Sequence, residues 1–223
     1  MLVEIKNLLN PDHLAAVQSV LNQSEFVSGQ STAGSSAKQV KENQEINADA
    51  SVLEALNNVV MTQLVQHPHY LQTAFPARIG LPIYARYTEG MHYGWHIDDP
   101  VMGGVQSRYR ADISVTVFLN DPSDYAGGEL SIETEFGIRD IKLPAGQAIL
   151  YPASSRHSVK PVMSGQRLVA ITWIQSLLRN PQHRQILSDL AAARNQLNPQ
   201  HDALAIQKID NSYNNLFRLW AEV

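Results

Sequence analysis

The stretch Met91-His-Tyr-Gly-Trp-His-Ile-Asp-Asp-Pro100 sets His96 and Asp98 one residue apart. Side chains alternate faces along an extended strand, so His96 and Asp98 share one side and Ile97 takes the other. One face of this strand therefore offers an imidazole nitrogen and a carboxylate oxygen, both of them metal ligands. A second imidazole from elsewhere would complete a triangular set of two His and one carboxylate. The best-placed candidate is His157, at the head of a later strand pattern.

The sequence on both sides of this stretch has the period of strands. Ile83 to Tyr87 precedes it, ending in a turn at Thr88-Glu-Gly90. Ile113 to Leu119 follows it, rich in β-branched residues and closed by Asn120-Asp-Pro-Ser-Asp124. Gly127 to Ile132, Ile138 to Leu143, Gln147 to Tyr151, His157 to Val162 and Arg167 to Ile174 continue the series between Gly, Pro and Ser breaks. Seven or eight short strands with regular turns predict an antiparallel jelly roll, a closed architecture able to bring residues 96 and 157 together.

The flanks read differently. Residues 1 to 9 suggest a short strand. Asn10-Pro11 supplies an N-cap and a first-turn proline for a helix to about Gln23, with Leu14, Val17, Val20 and Leu21 on one face. Val27 to Ala37 is small and polar and Lys38 to Asn47 is of mixed charge, which predicts a surface connection, the functional alternative being a segment that borders the substrate mouth. A second helix is expected over 48 to 66, stopped by His67-Pro68-His69, whose histidines read as exposed. After Ser176, Asn180-Pro181 and Asn198-Pro199 each open a helical pattern, predicting a carboxy-terminal hairpin whose apolar residues need cover from the sheet or from a second copy of the chain. The expected class is thus α+β: supporting elements over 1–77, a jelly roll over 78–176 and a helical hairpin over 177–223.

Composition limits the chemistry. The 223 residues include no cysteine, which excludes disulfides, thiolate metal sites and cysteine nucleophiles. A net charge of -4 and a pI near 6.0 give no reason to expect nucleic acid or an anionic membrane as partner. The amino terminus has no basic-then-apolar signal and no stretch approaches 18 apolar residues, so the expectation is a cytoplasmic protein without a membrane span.

Arg167 completes the constellation. Two His and one Asp leave three positions open on an Fe(II) ion, two for a chelating 2-oxo acid and one for O2. Fe(II) with Asp98 carries +1, and dianionic 2-oxoglutarate takes the site to -1. A guanidinium at Arg167 restores neutrality and can grip a carboxylate with two parallel hydrogen bonds. Other readings use the same ligands: a zinc hydrolase, a cupin-like barrel holding a metal for stability, a degenerate metal-free barrel, and a non-catalytic iron or 2-oxoglutarate sensor acting through the terminal helices. A buried guanidinium without an anion is costly, which sets Arg167 against the inert barrels.

The ordered set Tyr87-x-x-Gly90-x-x-Tyr93-x-x-His96-x-Asp98, Gly127-Gly-Glu-Leu130, His157-x-Val-x-Pro161 and Arg167-Leu-Val-Ala-Ile-Thr-Trp173 resembles the Fe(II)- and 2-oxoglutarate-dependent dioxygenases of the prolyl-hydroxylase branch. It resembles most closely the bacterial PKHD-type hydroxylases, and that likeness also takes in Thr32-Ala-Gly34 to Glu45 and the terminal hairpin. The resemblance implies iron on His96, Asp98 and His157, the distal carboxylate of 2-oxoglutarate on Arg167, Tyr87 near that cosubstrate, O2 as second cosubstrate and ascorbate (vitamin C) as an admissible reductant. It implies an oxidoreductase that hydroxylates a small-molecule or peptide substrate, which no residue identifies. One departure is visible: animal members carry a tyrosine where Val117-Phe118-Leu119-Asn120 has Phe118, leaving Tyr84 or Thr172 as alternative partners for the carboxylate. Trp95 and Tyr93 read as packing, Arg108 and Arg110 as a solvated loop, and a homodimer through the hairpin is an expectation from its apolar residues alone.

Overall fold

A computed structural model describes residues 1–32 and 37–223. Residues 33–36, part of the expected connection over 27–37 and of the Thr32-Ala-Gly34 likeness, lie outside the described residues. In chain order the elements begin with β1 (Val3–Ile5), α1 (Pro11–Gln23), β2 (Glu25–Ser28), β3 (Lys41–Glu42), β4 (Gln44–Asn47), α2 (Ala50–Gln66) and α3 (Pro68–Ala74). They continue with β5 (Pro76–Ile79), β6 (Ile83–Tyr87), β7 (His92–His96), β8 (Val101–Met102), β9 (Tyr109–Arg110), β10 (Ile113–Phe118) and β11 (Tyr125–Gly127). The last are β12 (Leu130–Thr134), β13 (Gly137–Ile141), β14 (Ala148–Pro152), β15 (His157–Val159), β16 (Val162–Gly165), β17 (Arg167–Ser176), α4 (Pro181–Gln196) and α5 (Ala203–Trp220).

Two antiparallel sheets form the jelly roll. The larger runs β1-β14-β10-β17-β6-β4-β2, with β5 also on β17, and the smaller runs β13-β12-β15-β7-β3. Strands β6, β10, β14 and β17 of the larger sheet divide their side chains between two cores, as the two-residue period requires. Tyr84, Ile113, Val115, Val117, Leu168 and Ala170 point outward and pack with Val17 and Leu21 of α1 and Leu56, Val60 and Leu64 of α2. Ala85, Tyr87, Phe118, Ile149 and Val169 point inward, against Leu130, Ile132 and Val159 of the smaller sheet. The helices brace one face of the larger sheet while the other lines the cavity.

Local chemistry explains most boundaries. Asn10 caps α1, its side chain accepting from the His13 amide at 2.8 Å, with Pro11 in the first turn. His67-Pro68 does more than stop a helix: Pro68 opens the short α3, and Phe75 ends it in the left-handed region at φ 46°. The run expected from Gly127 to Ile132 is two strands. Gly127 and Gly128 take φ of 70° and 67°, which a side chain would resist, and the ladder breaks between β11 and β12. The run from His157 to Val162 is likewise divided at Pro161, which has no amide to donate.

The largest departure falls within residues 27–47, expected as a surface connection, among those of them that are described. Val27 pairs with Glu45 between β2 and β4, Lys41 with Tyr93 between β3 and β7, and Glu45 with Ala85 between β4 and β6. Mixed charge here reflects strands that face a polar cavity rather than an apolar core, which hides the strand period from a hydrophobicity reading. Strand β5 also lies outside the expected set. At the carboxy terminus, α4 and α5 form the hairpin, and Leu190, Tyr213, Leu216, Phe217 and Trp220 pack around Phe75, Leu178 and Leu187. Its apolar residues thus find partial cover within the chain. No helix among the described residues is long and apolar enough to cross a membrane.

Candidate active site

β7 and β15 are neighbours in the smaller sheet, and their register sets His157 directly opposite His96. Strand β7 ends at His96, so Asp98 lies just past it, in an irregular segment before Pro100, where proline restricts the backbone. Asp98 is nonetheless drawn in, its side chain 8% exposed, whereas Ile97 is 55% exposed at the cavity rim. Asp98 Oδ1 is 3.9 Å from His96 Nε2 and 3.7 Å from His157 Nε2, and one ligand atom from each residue falls within 4.8 Å of the others. Among the described residues this is the one such group of His and carboxylates. His67 and His69 take no part in it.

Each ligand atom is aimed from behind. His96 Nδ1 sits 2.8 Å from the Gly94 carbonyl and His157 Nδ1 2.9 Å from the Ser155 carbonyl. A carbonyl only accepts, so both Nδ1 atoms carry the proton and both Nε2 lone pairs face the third ligand. The Ser114 hydroxyl donates to Asp98 Oδ2, leaving Oδ1 toward the histidines. Tyr93 stacks on the His96 ring at 3.6 Å and Tyr151 meets the His157 ring edge-on at 5.1 Å. Burial, followed by the neighbouring His157, holds the His96 imidazole down to about 4, so it is neutral and available as a ligand at neutral pH. Burial pushes the Tyr87, Tyr93 and Tyr151 phenols up, which keeps them protonated donors.

Arg167 opens β17 opposite Tyr87 of β6 and points inward. It is 1% exposed, yet Nε and Nη1 have no hydrogen-bond partner and no carboxylate among the described residues pairs with it. Its guanidinium lies 5.0 Å from the Tyr87 ring centroid and 5.6 Å from that of Phe118. The cavity that contains it also reaches His96, Asp98 and His157. A buried cation without an anion, in one cavity with a triad open on one side, fits a metal chelated by a ligand that carries a remote carboxylate.

Tyr84 and Thr172, the alternatives raised by Phe118, do not reach this cavity. Tyr84 donates to Asn57 Oδ1 at 3.1 Å and Thr172 to the Gly80 carbonyl at 2.6 Å. Strand parity is the reason: Tyr84 is three residues from Tyr87 and Thr172 five from Arg167, so each faces the other side. Tyr125 is closer in kind, since its buried hydroxyl has no partner and it feels the Arg167 charge. Tyr93 lines the cavity as well as stacking on a ligand, whereas Trp95 faces outward beneath Arg156. Arg110 pairs with Asp112 and Glu222, away from the site. The cavity wall also includes Thr32, Lys41, Asn43 and Glu45, which no pattern of ligand spacing had singled out.

A jelly roll with a buried His-Asp-His cluster and an inward arginine defines a class of protein, and residues 82–175 match the family model of the 2OG-Fe(II) oxygenase superfamily. Relatives extend the match to the whole chain. PKHD-type hydroxylases of Thioalkalivibrio sulfidiphilus and Acaryochloris marina are each 42% identical to it, and one of Paraburkholderia phymatum 38%, all over 100% of both chains. The chain belongs to the PKHD-type hydroxylases, which are oxidoreductases of the dioxygenase type. Solved structures agree in fold. A Pseudomonas putida prolyl-4-hydroxylase superposes with a TM-score of 0.53 at 17% identity, covering 78% of this chain and 92% of its own. A Trichoplax adhaerens prolyl hydroxylase, solved with a hypoxia inducible factor peptide fragment, gives 0.55 at 19%, covering 84% and 86%.

Proposed function

We propose that His96, Asp98 and His157 hold Fe(II), that Arg167 holds the distal carboxylate of 2-oxoglutarate, and that the enzyme hydroxylates a substrate C–H bond. When bound, iron with 2-oxoglutarate and O2 supplies the redox chemistry: the oxo acid leaves as succinate and CO2, and the substrate gains one oxygen atom. The protein positions and shields. Gly94 and Ser155 fix the imidazole tautomers, Ser114 orients Asp98, and Tyr93 and Tyr151 hold the two rings in place. Arg167 sets the direction in which the cosubstrate lies, and Tyr87, packed against the guanidinium, borders the same volume.

The observation that carries this reading is a buried, unpaired Arg167 in one cavity with three convergent metal-ligating atoms. It favours an oxygenase over a zinc hydrolase or an inert metal barrel, neither of which has a task for that cation. The test is anaerobic titration of metal-free protein with Fe(II) and then 2-oxoglutarate, watching for the visible charge-transfer band of a chelated 2-oxo acid. Admission of air should then bleach the band as succinate forms. Absence of the band refutes the assignment, and a band that persists in air without succinate is the outcome shared by the sensor and by an enzyme that waits for its substrate.

A further inference from the structure

The segment 41–45 bridges the two sheets at one edge of the cavity, leaving β3 in the smaller sheet and entering β4 in the larger within five residues. It carries an ion pair. Lys41 Nζ lies 2.6 Å from Glu45 Oε1, and the two residues are only 6% and 7% exposed. The Thr32 hydroxyl accepts from Lys41 at 2.8 Å and donates to the same Glu45 oxygen at 2.7 Å. All three residues line the cavity that holds the metal ligands, together with Asn43, whose buried Oδ1 has no partner.

The pair is half-used. Among the described residues Glu45 Oε2 accepts no hydrogen bond, and Lys41 has spent two of its three N–H groups. It also stands close to the chemistry. Lys41 Nζ is 5.4 Å from the Tyr93 ring centroid, and Tyr93 is the ring stacked on His96. Removing two charges from water is costly, and apolar residues would join two sheets at less expense in free energy, so a buried pair left with free valences suggests a ligand. Charge counting narrows that ligand. Iron, Asp98, 2-oxoglutarate and Arg167 sum to zero, and Lys41 with Glu45 adds zero. A molecule of zero net charge therefore enters without leaving an uncompensated charge in a low dielectric.

Resting on the oxygenase reading above, we propose that Lys41 and Glu45 recognise the zwitterionic head of a free amino acid, the substrate carboxylate taking the free Lys41 N–H and its ammonium taking Glu45 Oε2. Both contacts are charge-assisted, which distinguishes this ligand from a backbone amide offering only neutral groups. Thr32 fixes the geometry of the pair from behind. The side chain of the amino acid then extends along the Tyr93 side of the cavity toward the metal ligands.

The test uses the full chain loaded anaerobically with Fe(II) and 2-oxoglutarate. The twenty proteinogenic amino acids, and the same set capped as N-acetyl carboxamides, are added while the charge-transfer band is monitored. At least one free amino acid should perturb the band saturably and its capped form should not. Lys41→Met and Glu45→Gln should each weaken that response about tenfold or more, while the band itself still forms. The exchange Lys41→Glu/Glu45→Lys keeps an ion pair between the sheets, so it separates recognition from bracing: the fold should persist and the response should be lost. A band that no free amino acid perturbs overturns the proposal, as does a response to capped forms alone, which would indicate a peptide substrate, or a response undiminished in the exchanged variant. Failure of the band to form at all overturns the oxygenase reading instead.

Discussion

Replacing Arg167 with Met should strengthen the ligand-free protein and disable it at the same time. Nε and Nη1 of Arg167 are buried without partners, and an unsatisfied buried polar group costs about 1–3 kcal/mol. Cation–π contacts with Tyr87 and Phe118 return roughly 1–2 kcal/mol. Met fills much of the same volume without the charge; two unsatisfied groups cost about 2–6 kcal/mol together and the lost ring contacts about 1–2, so the metal-free variant should gain about 0–5 kcal/mol, or up to about 10–20 °C in Tm for a chain of this length. The opposite sign applies once 2-oxoglutarate is present. Loss of two charge-assisted hydrogen bonds at about 1.5–3 kcal/mol each weakens its binding about 10²- to 10⁴-fold. With Mn(II) in the metal site and 2-oxoglutarate at about 100 times the native Kd, the native protein gains about 2.7 kcal/mol and the variant nearly nothing. Thermal unfolding with and without 2-oxoglutarate therefore reads both effects in one assay. A variant that melts below the native protein when both are ligand-free would show that Arg167 is compensated in the folded state. A variant that keeps the native 2-oxoglutarate shift would refute its role as the carboxylate anchor.

Asp98→Ala should abolish stoichiometric Fe(II) binding, measured as bound metal after anaerobic gel filtration, because two imidazoles alone remain; retention of one iron per chain would refute the triad. Ser114→Ala removes the hydroxyl that orients Asp98 and should lower metal affinity about 10- to 100-fold by competition with a chelator, with the fold intact by circular dichroism. Leu56→Ala, beneath α2 on the outward face of the larger sheet, should cost about 2–5 kcal/mol in urea unfolding, yet leave the Fe(II) affinity of the folded protein unchanged.

The sequence displayed the parts of this molecule that obey a period. The alternation in Ile113 to Leu119 and Arg167 to Ile174, the Asn-Pro helix starts and the His-x-Asp spacing each correspond to an element in place. What stayed hidden is polar structure whose reason is a cavity. Lys41, Asn43 and Glu45 alternate along an extended segment as a strand should, but toward a site rather than a core, so hydrophobicity registers nothing there. Ser114 is equally silent, because its partner Asp98 comes from a different segment and only the fold brings them together. The choice of Tyr84 or Thr172 as carboxylate partners, by contrast, was excludable from the sequence. Counting parity from Tyr87 and Arg167 along their own strands places both on the wrong face.

That same parity divides labour within single strands. On β10, Ile113, Val115 and Val117 meet the helices, whereas Ser114 holds Asp98 and Thr116 and Phe118 face the site. On β17, Leu168 and Ala170 join the apolar core while Arg167 carries the cation. The outward face provides burial, at about 25 cal/mol per Å² of apolar surface removed from water. The inward face takes on costs that burial must offset: an uncompensated guanidinium, a desolvated ion pair and two imidazoles pressed together. One β10 residue and its neighbour thus answer to different selections, and substitutions at odd and even positions should separate accordingly. Outward changes move stability at constant affinity, and inward changes move affinity with little loss, or even a gain, of stability. A site with this much unpaired polarity folds because the larger-sheet strands that carry part of it are anchored by their opposite face.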